Sequence, residues 1–195
     1  MKYTFAILAI SLLMSMAADV RAAEKEVLFN GDMSHSGYCE MSMKYTSFNS
    51  QPANLLGFSC AWLMNDKFYF GGSAHGSTGL IGGIGSFYYQ GGMILGYYYK
   101  PNKLYHYSTE LFIGTGGLVT LSPFSYTVVE PSVGLNLNLT TFAKLKAGLS
   151  YRFVTGTDSS TGLGPNEINA ASFYIGLSIN PFEIKYPFKE IWNRE

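Results

Sequence analysis

The chain has 195 residues, which is enough for one domain with a full core. Its 13 basic and 13 acidic residues cancel, and no run of Lys or Arg interleaved with aromatic residues occurs, so nucleic acid is excluded as an expected partner. Only 13% of the residues are charged, whereas about 25% is typical of soluble domains. Because 16% are aromatic and glycine occurs 22 times, we expect much of the surface to face something other than water.

The N-terminus has the pattern of a secretory signal. Lys2 precedes an apolar run from Phe5 to Ala18, and Val20-Arg21-Ala22 offers small residues at a cleavage site. We predict a signal peptide over 1–22, cleavage near Ala23 and a polar lead over 23–36. The run is short for a membrane-spanning helix of about 20 residues, so an uncleaved anchor is the alternative.

Eight segments with the composition of β-strands follow, each rich in Tyr, Phe, Val, Leu or Thr and bounded by turn residues. The predicted strands are 37–48, 54–64, 67–75, 85–100, 103–115, 126–140, 142–155 and 169–182. Their connections alternate in length. Tight steps at Asn65-Asp66, Pro101-Asn102 and Thr140-Thr141 alternate with long ones at 76–84, 116–125 and 156–168. Short periplasmic turns and longer outer loops are typical of outer-membrane barrels, although the first outer connection, 49–53, is shorter than the others.

Alternating side chains give the strongest indication of fold, because successive strand residues point to opposite faces. In the seventh segment Leu145 and Leu149 share one face, whereas Lys146 and Arg152 share the other. The first, fifth and sixth segments repeat this contrast. We therefore predict an all-β fold, an eight-stranded antiparallel up-and-down transmembrane β-barrel over 37–182, followed by a C-terminal tail over 183–195.

The alternation alone would also fit a secreted soluble lipocalin-like barrel that binds an apolar ligand. The polar faces, however, consist mostly of Gly, Ser, Asn and Thr, and aromatic residues lie near both strand ends, as interfacial girdles require. This favours apolar faces that contact lipid and polar faces that meet in the lumen. Because eight strands enclose a lumen that side chains fill, we predict a lumenal polar network of Glu40, Lys44, His106, Glu110, Glu130, Lys146 and Arg152.

Three stretches carry a resemblance to known proteins. They are Pro101-Asn102-Lys103-Leu104 with His106 and Ser108, Val129-Glu130-Pro131 with Val133-Gly134 and Asn136-Leu137, and Gly148-x-Ser150-Tyr151-Arg152 with Val154-Thr155-Gly156. The chain resembles a family of small Gram-negative outer-membrane β-barrel proteins of unassigned function. The resemblance implies the barrel fold and a bacterial outer-membrane location, and it implies no reaction. Many such barrels end on an aromatic residue, whereas here 13 residues, 183–195, follow Phe182.

One constellation suggests catalysis. His106, Ser108 and Glu110 share one face of one strand and resemble in part the His-x-Ser element of outer-membrane lipid A deacylases. A lipid-modifying enzyme that uses His106 and Ser108 is therefore an alternative hypothesis. Such an enzyme needs its nucleophile at the lipid-facing surface, but the alternation turns these residues inward. Side chains two apart on a strand are also roughly 7 Å apart at Cα, which disfavours a direct Ser–His hydrogen bond.

Other features indicate no cofactor or metal. The glycines at 79–85 and 114–117 lack the following helix that a phosphate loop needs, and His35 and His75 lack the paired spacing of a zinc site. We interpret Cys39 and Cys60 as unpaired, lipid-facing thiols one diagonal step apart, with a disulfide as the alternative. The favoured function is a non-enzymatic, monomeric outer-membrane barrel. It contacts membrane lipid, and its role is either structural or a contact of its outer loops with a surface ligand or an envelope protein.

Overall fold

The computed structural model describes residues 34–81, 86–119, 124–156 and 165–184. The predicted signal peptide over 1–22 lies outside the described residues, as do most of the lead and residues 185–195 of the predicted tail. The remaining two tail residues, Glu183 and Ile184, continue the last strand.

Eight antiparallel strands form one closed barrel in which each strand pairs with the next and the last pairs with the first. The strands are β1 His35–Phe48, β2 Gln51–Met64, β3 Phe68–Ser77, β4 Phe87–Tyr99, β5 Tyr105–Val119, β6 Phe124–Asn138, β7 Ala143–Thr155 and β8 Ala170–Ile184. A short helix, α1 Pro165–Ile168, precedes β8. No helix in the described part of the chain has the length and apolar character needed to cross a bilayer. The predicted eight-stranded antiparallel barrel is thus confirmed.

Two connections, the two-residue turn 49–50 and the three-residue turn 65–67, are tight turns built on the left-handed backbone conformation. Asn49 and Ser50 have φ of 46° and 62°, and Asn65 and Asp66 have φ of 52° and 56°. Positive φ at both central residues defines a type I′ turn, whose twist matches that of the flanking strands, and Asn and Asp tolerate that conformation. The first outer connection is therefore as tight as a periplasmic one, and β2 begins three residues earlier than predicted.

The predicted outer loop 116–125 is wrong in extent, because β5 continues to Val119 and β6 begins at Phe124. Gly116 faces the barrel interior, where an added Cβ would lie 3.1 Å from side-chain atoms of both Tyr126 and Val128. The glycine therefore makes room for large neighbours inside a strand instead of marking a flexible loop.

The apolar faces of the strands point outward, as predicted. Leu135 and Leu149 are 45% and 60% exposed, whereas Lys146 and Arg152 are 1% and 0% exposed. Exposed aromatic side chains lie near both barrel ends, including Tyr99, Tyr105 and Tyr107 at the turn end and Tyr151 and Phe153 at the other. A band of exposed apolar side chains flanked by aromatic girdles is the exterior of a transmembrane barrel.

The interpretation of the cysteines as unpaired thiols is wrong. Cys39 and Cys60 lie on the outward face as expected, but they are directly opposite one another, with Cα atoms 4.2 Å apart, and form a disulfide. The two-residue turn explains the difference, since it pairs Phe48 with Gln51 and so brings Cys39 opposite Cys60 further down the ladder. The predicted connection 49–53 would instead have paired residue 48 with residue 54 and offset the two cysteines diagonally.

Candidate functional site in the barrel lumen

The middle of the lumen contains a buried ion pair between opposite walls of the barrel. Lys44 Nζ on β1 lies 2.6 Å from Glu130 Oε1 on β6, and both side chains are less than 10% exposed. Glu130 also accepts hydrogen bonds from Ser150 Oγ at 2.5 Å and from Gln90 Nε2 at 3.2 Å. Both carboxylate oxygens are therefore satisfied, which burial of a charge requires.

A second ionic group lies beside the first. Lys146 Nζ on β7 is 3.1 Å from Glu110 Oε2 and 3.7 Å from Glu40 Oε2. Tyr69 donates from its hydroxyl to the same Glu110 oxygen at 2.8 Å. One buried ammonium group thus lies between two carboxylates from β1 and β5.

Arg152 occupies the outer end of the lumen, apart from these carboxylates. Its guanidinium carbon lies 4.1 Å from the ring centre of Phe48 and 5.1 Å from that of Tyr88. Nε donates to the carbonyl of Ile168 in α1 at 3.0 Å, and Nη2 donates to Thr46 Oγ1 at 3.2 Å and to a backbone carbonyl of β1. The arginine therefore joins the barrel wall to the segment that precedes β8. Cation–π interactions with the two aromatic rings stabilise its charge.

The periplasmic end of the lumen is lined by tyrosines. The rings of Tyr38, Tyr69 and Tyr98 contact one another with centroid distances from 4.9 to 6.4 Å. Lys144 Nζ lies 4.9 Å from the centre of the Tyr98 ring, and His106 packs against the same ring edge-on at 5.6 Å. The lumen therefore has three layers: a tyrosine layer, an ionic layer and an outer layer around Arg152.

The predicted network is consequently divided among these layers. Five of its members come together in the ionic layer, namely Glu40, Lys44, Glu110, Glu130 and Lys146. Arg152 lies in the outer layer and His106 in the tyrosine layer. Sequence reasoning missed several side chains that complete the layers, including Gln90, Tyr69, Tyr88 and Tyr98. Their inward direction follows from strand alternation once β3 and β4 are placed in register.

Space inside the ionic layer is small. The remaining cavity, between Ser42, Ser59, His75 and the paired charges, has a volume of about 20 Å³. A single water needs roughly 10–15 Å³ of such space. Close packing continues at Gly148, where an added Cβ would collide with the hydroxyl end of Tyr174 and with a backbone oxygen of β6.

His106 and Ser108 are not arranged as a catalytic pair at the lipid surface. They are 1% and 3% exposed and face the lumen. Ser108 Oγ accepts a hydrogen bond from Asn136 Nδ2 at 2.9 Å, and His106 Nδ1 lies 3.3 Å from the carbonyl oxygen of Lys103. This geometry does not favour the lipid-modifying enzyme.

The histidines and glycine-rich stretches considered above as metal or phosphate sites lie as follows in the part of the chain that the structure describes. No group of three His, Cys, Asp or Glu side chains is placed to hold a metal ion there. His75 lies 3.4 Å from Ser73 Oγ in the lumen, and His35 packs 5.2 Å from the ring of Trp62. The glycines at 114–117 lie within β5, while most of 79–85 lies outside the described residues.

Comparisons with known proteins support the fold. No family model and no curated protein matches the chain. Among solved structures, the chain is similar to Neisserial surface protein A, with a TM-score of 0.55 and 12% identity over 78% of this chain and 97% of that one. It is also similar to the N-terminal β-barrel domain of Pseudomonas aeruginosa OprF, with a TM-score of 0.54 and 10% identity over 75% of this chain and 98% of that one.

Fold and surface together define the class. A closed barrel of eight antiparallel strands with a lipid-facing apolar exterior and a polar interior is an integral protein of the bacterial outer membrane. The similar structures have the same small Gram-negative outer-membrane barrel fold, which supports the family resemblance at that level. The short turns and the strand ends near both chain termini mark the periplasmic end.

Proposed function

We propose that the chain is a non-enzymatic, monomeric outer-membrane barrel with a plugged lumen and a structural or surface-interaction role. The observation that carries this proposal is the three-layered filling of the lumen. Its ionic layer leaves about 20 Å³, and aromatic side chains lie on both sides of it. An eight-stranded barrel is about wide enough for side chains to fill, and these side chains support a plug.

The proposed plug depends on the ion pairs in the lumen as well as on the small cavity volume. The ammonium groups of Lys44 and Lys146 face carboxylates, so moving either side chain aside would leave a buried charge without its partner. At the outer end, Phe48, Tyr88 and Tyr126 pack near one another, with ring centroids 4.4 and 6.4 Å apart. An ion would have to displace these groups to pass.

The interior also argues against the other two hypotheses. A lipocalin-like barrel needs an apolar cavity for its ligand, but the cavity in the middle of this lumen is lined mainly by charged and hydroxyl side chains. A deacylase needs a nucleophile that reaches an acyl chain in the bilayer, but Ser108 is directed inward and bonded to Asn136. Both alternatives therefore rank below the plugged barrel.

The outer rim is the remaining surface for an interaction. The segment with α1 is held on the barrel by Arg152 and by the amide of Asn49, which donates to the carbonyl of Glu167 at 2.6 Å. Neighbouring rim residues include Leu80 and Val119, which are 62% and 56% exposed. We propose that this rim, with the connections that join β3 to β4, β5 to β6 and β7 to β8, contacts a surface ligand or an envelope protein.

Single-channel recording tests the plug. The protein is folded into planar bilayers beside a large porin as the positive control, and heat-shifted gel mobility confirms that it is folded. We expect no discrete conductance steps from the chain at neutral pH. Reproducible steps from the folded wild-type protein would refute the plug.

A complementation experiment separates the structural role from the surface-interaction role. A deletion strain receives either the wild-type chain or a variant whose residues 157–164 are replaced by a Gly-Ser segment of equal length. A structural role predicts that both restore resistance of the envelope to detergent. A surface-interaction role predicts that only the wild type restores ligand or cell adhesion, although both proteins are present at equal amounts.

A further inference from the structure

Exposed lysines are concentrated on two turns at the periplasmic end of the barrel. Lys67 lies in the β2–β3 turn, and Lys100 and Lys103 lie in the β4–β5 turn. All three are exposed, and these turns contain a single acidic residue, Asp66. This end of the barrel therefore presents a local positive charge, although the whole chain is neutral.

The two turns lie side by side because β3 and β4 pair with each other. The amide of Tyr98 donates to the carbonyl of Lys67 at 2.7 Å, which places the second turn beside the first. Within the second turn, the amide of Lys103 donates to the carbonyl of Lys100 at 3.0 Å. The lysines thus extend from hydrogen-bonded backbone at defined neighbouring positions.

The surrounding side chains place these lysines at the membrane interface. Lys100 Nζ lies 5.0 Å from the ring centre of Tyr99, which is itself 45% exposed on the outer wall. Phe68 and Leu104, beside Lys67 and Lys103, are 41% and 58% exposed. Because interfacial aromatics lie at the level of the lipid headgroups, the ammonium groups lie at the level of the phosphates.

The other described rims differ in charge. The third periplasmic turn, 139–142, has the uncharged sequence Leu-Thr-Thr-Phe. Among the described residues of the outer rim, Glu167 is charged, and the arginine nearest to it, Arg152, is buried in the lumen. Among the side chains that the structure describes, the basic surface is therefore confined to one sector of the periplasmic end, near β3 and β4.

We propose that Lys67, Lys100 and Lys103 form a binding surface for the anionic headgroups of phospholipids in the periplasmic leaflet. Each ammonium group pairs with a phosphate oxygen, while Phe68, Tyr99 and Leu104 contact the upper acyl chains. The aromatic and apolar neighbours favour a lipid over a soluble acidic partner, since a soluble partner would not cover them. This proposal goes beyond the plugged barrel and does not depend on it, because the lumen contributes no residue to the surface.

Native mass spectrometry of the detergent-folded protein tests the surface. Phosphatidylglycerol and phosphatidylcholine are titrated separately against the wild type and against the triple variant Lys67→Gln, Lys100→Gln and Lys103→Gln. We expect the wild type to bind phosphatidylglycerol more tightly, and the variant to lose about fivefold in affinity for each lysine removed. Phosphatidylcholine binding should be unchanged.

A charge-preserving variant is the matched control. Lys67→Arg, Lys100→Arg and Lys103→Arg together should keep phosphatidylglycerol binding near the wild-type level, because guanidinium also pairs with phosphate. Heat-shifted mobility shows that both triple variants fold. Equal phosphatidylglycerol affinity in the wild type and the Gln variant would overturn the proposal. Millimolar inorganic phosphate and soluble polyglutamate are added as competitors. If either competes as effectively as the lipid, the proposal is overturned, because the site would then bind a free anion or an acidic protein.

Discussion

Removal of the Glu130 carboxylate is the most direct perturbation of the lumen. In the folded barrel it accepts from Lys44, Ser150 and Gln90, and its side chain is 2% exposed. Glu130→Ala would leave the Lys44 ammonium group buried without its counter-charge. Breaking a buried pair in this way costs about 3–5 kcal/mol of unfolding free energy. With a urea dependence of about 2 kcal/mol per molar, the unfolding midpoint should fall by roughly 2 M.

The assay is urea unfolding of protein folded into lipid vesicles, followed by gel mobility without boiling and by tryptophan fluorescence. Trp62 is a suitable reporter because it lies on the outer wall and is 52% exposed to the surroundings of the barrel. Asn102→Ala, in an exposed periplasmic turn, is the control for a surface substitution. This control substitution should change the free energy of unfolding by no more than about 0.5 kcal/mol.

A pair of nearly isosteric variants separates lost charge from lost volume. Glu130→Gln keeps the volume but leaves Lys44 uncompensated, so it should remain destabilised. Adding Lys44→Met should recover part of that loss, because a neutral pair leaves no isolated charge. If Glu130→Ala matched Asn102→Ala in stability, or if Lys44→Met further weakened Glu130→Gln, the buried ion pair would not be what stabilises the middle of the lumen.

Three further substitutions probe other parts of the barrel. Without reductant, an alkylating reagent should leave Cys39 and Cys60 of the urea-unfolded protein unlabelled, and replacing both by Ser should cost about 3 kcal/mol; ready labelling would contradict the bridge. Arg152→Met should speed proteolysis of the segment before β8 on intact cells while the barrel stays folded, and an unchanged cleavage rate would count against its role as a tether. Gly148→Ala should cost about 1–3 kcal/mol through overpacking, whereas Gly72→Ala should be nearly neutral, because an added Cβ would make only an ordinary contact at 3.8 Å with the carbonyl oxygen of Gly92. Equal effects would refute the packing account.

Much of the fold follows from side-chain alternation, and the reason is physical. A strand with lipid on one side and a filled lumen on the other must alternate, so the faces of β6 and β7 can be read from Leu135, Leu145 and Lys146 alone. The same reasoning correctly turns His106 and Ser108 inward. The sequence alone thereby weighs against the lipid-modifying enzyme.

Register is harder to predict, because it depends on turns whose length composition does not determine. The Asn49-Ser50 turn decides the register, since its position brings Cys39 opposite Cys60, whereas the predicted connection 49–53 would have offset the two residues. The predicted length of the loop 116–125 is wrong for a related reason. In a sequence, glycine suggests the end of a strand. Gly116 instead lies within a strand and faces inward, where the absence of a side chain leaves room for Tyr126.

The partners of the ion pairs that cross the lumen cannot be predicted from a single sequence, for a different reason. Lys44 and Glu130 are 86 residues apart and lie on strands that do not pair, so barrel closure alone brings them together. The same holds for the aromatic layers, because aromatic residues near strand ends occur on both faces here: Tyr99 faces lipid while its neighbour Tyr98 is buried. Closure thus brings the lysines and glutamates of the ionic layer into buried pairs with one another. The two rims differ among the described residues: Glu167 is the charged residue of the outer rim, whereas the periplasmic rim carries the exposed lysines, so the two rims offer different surfaces for an interaction.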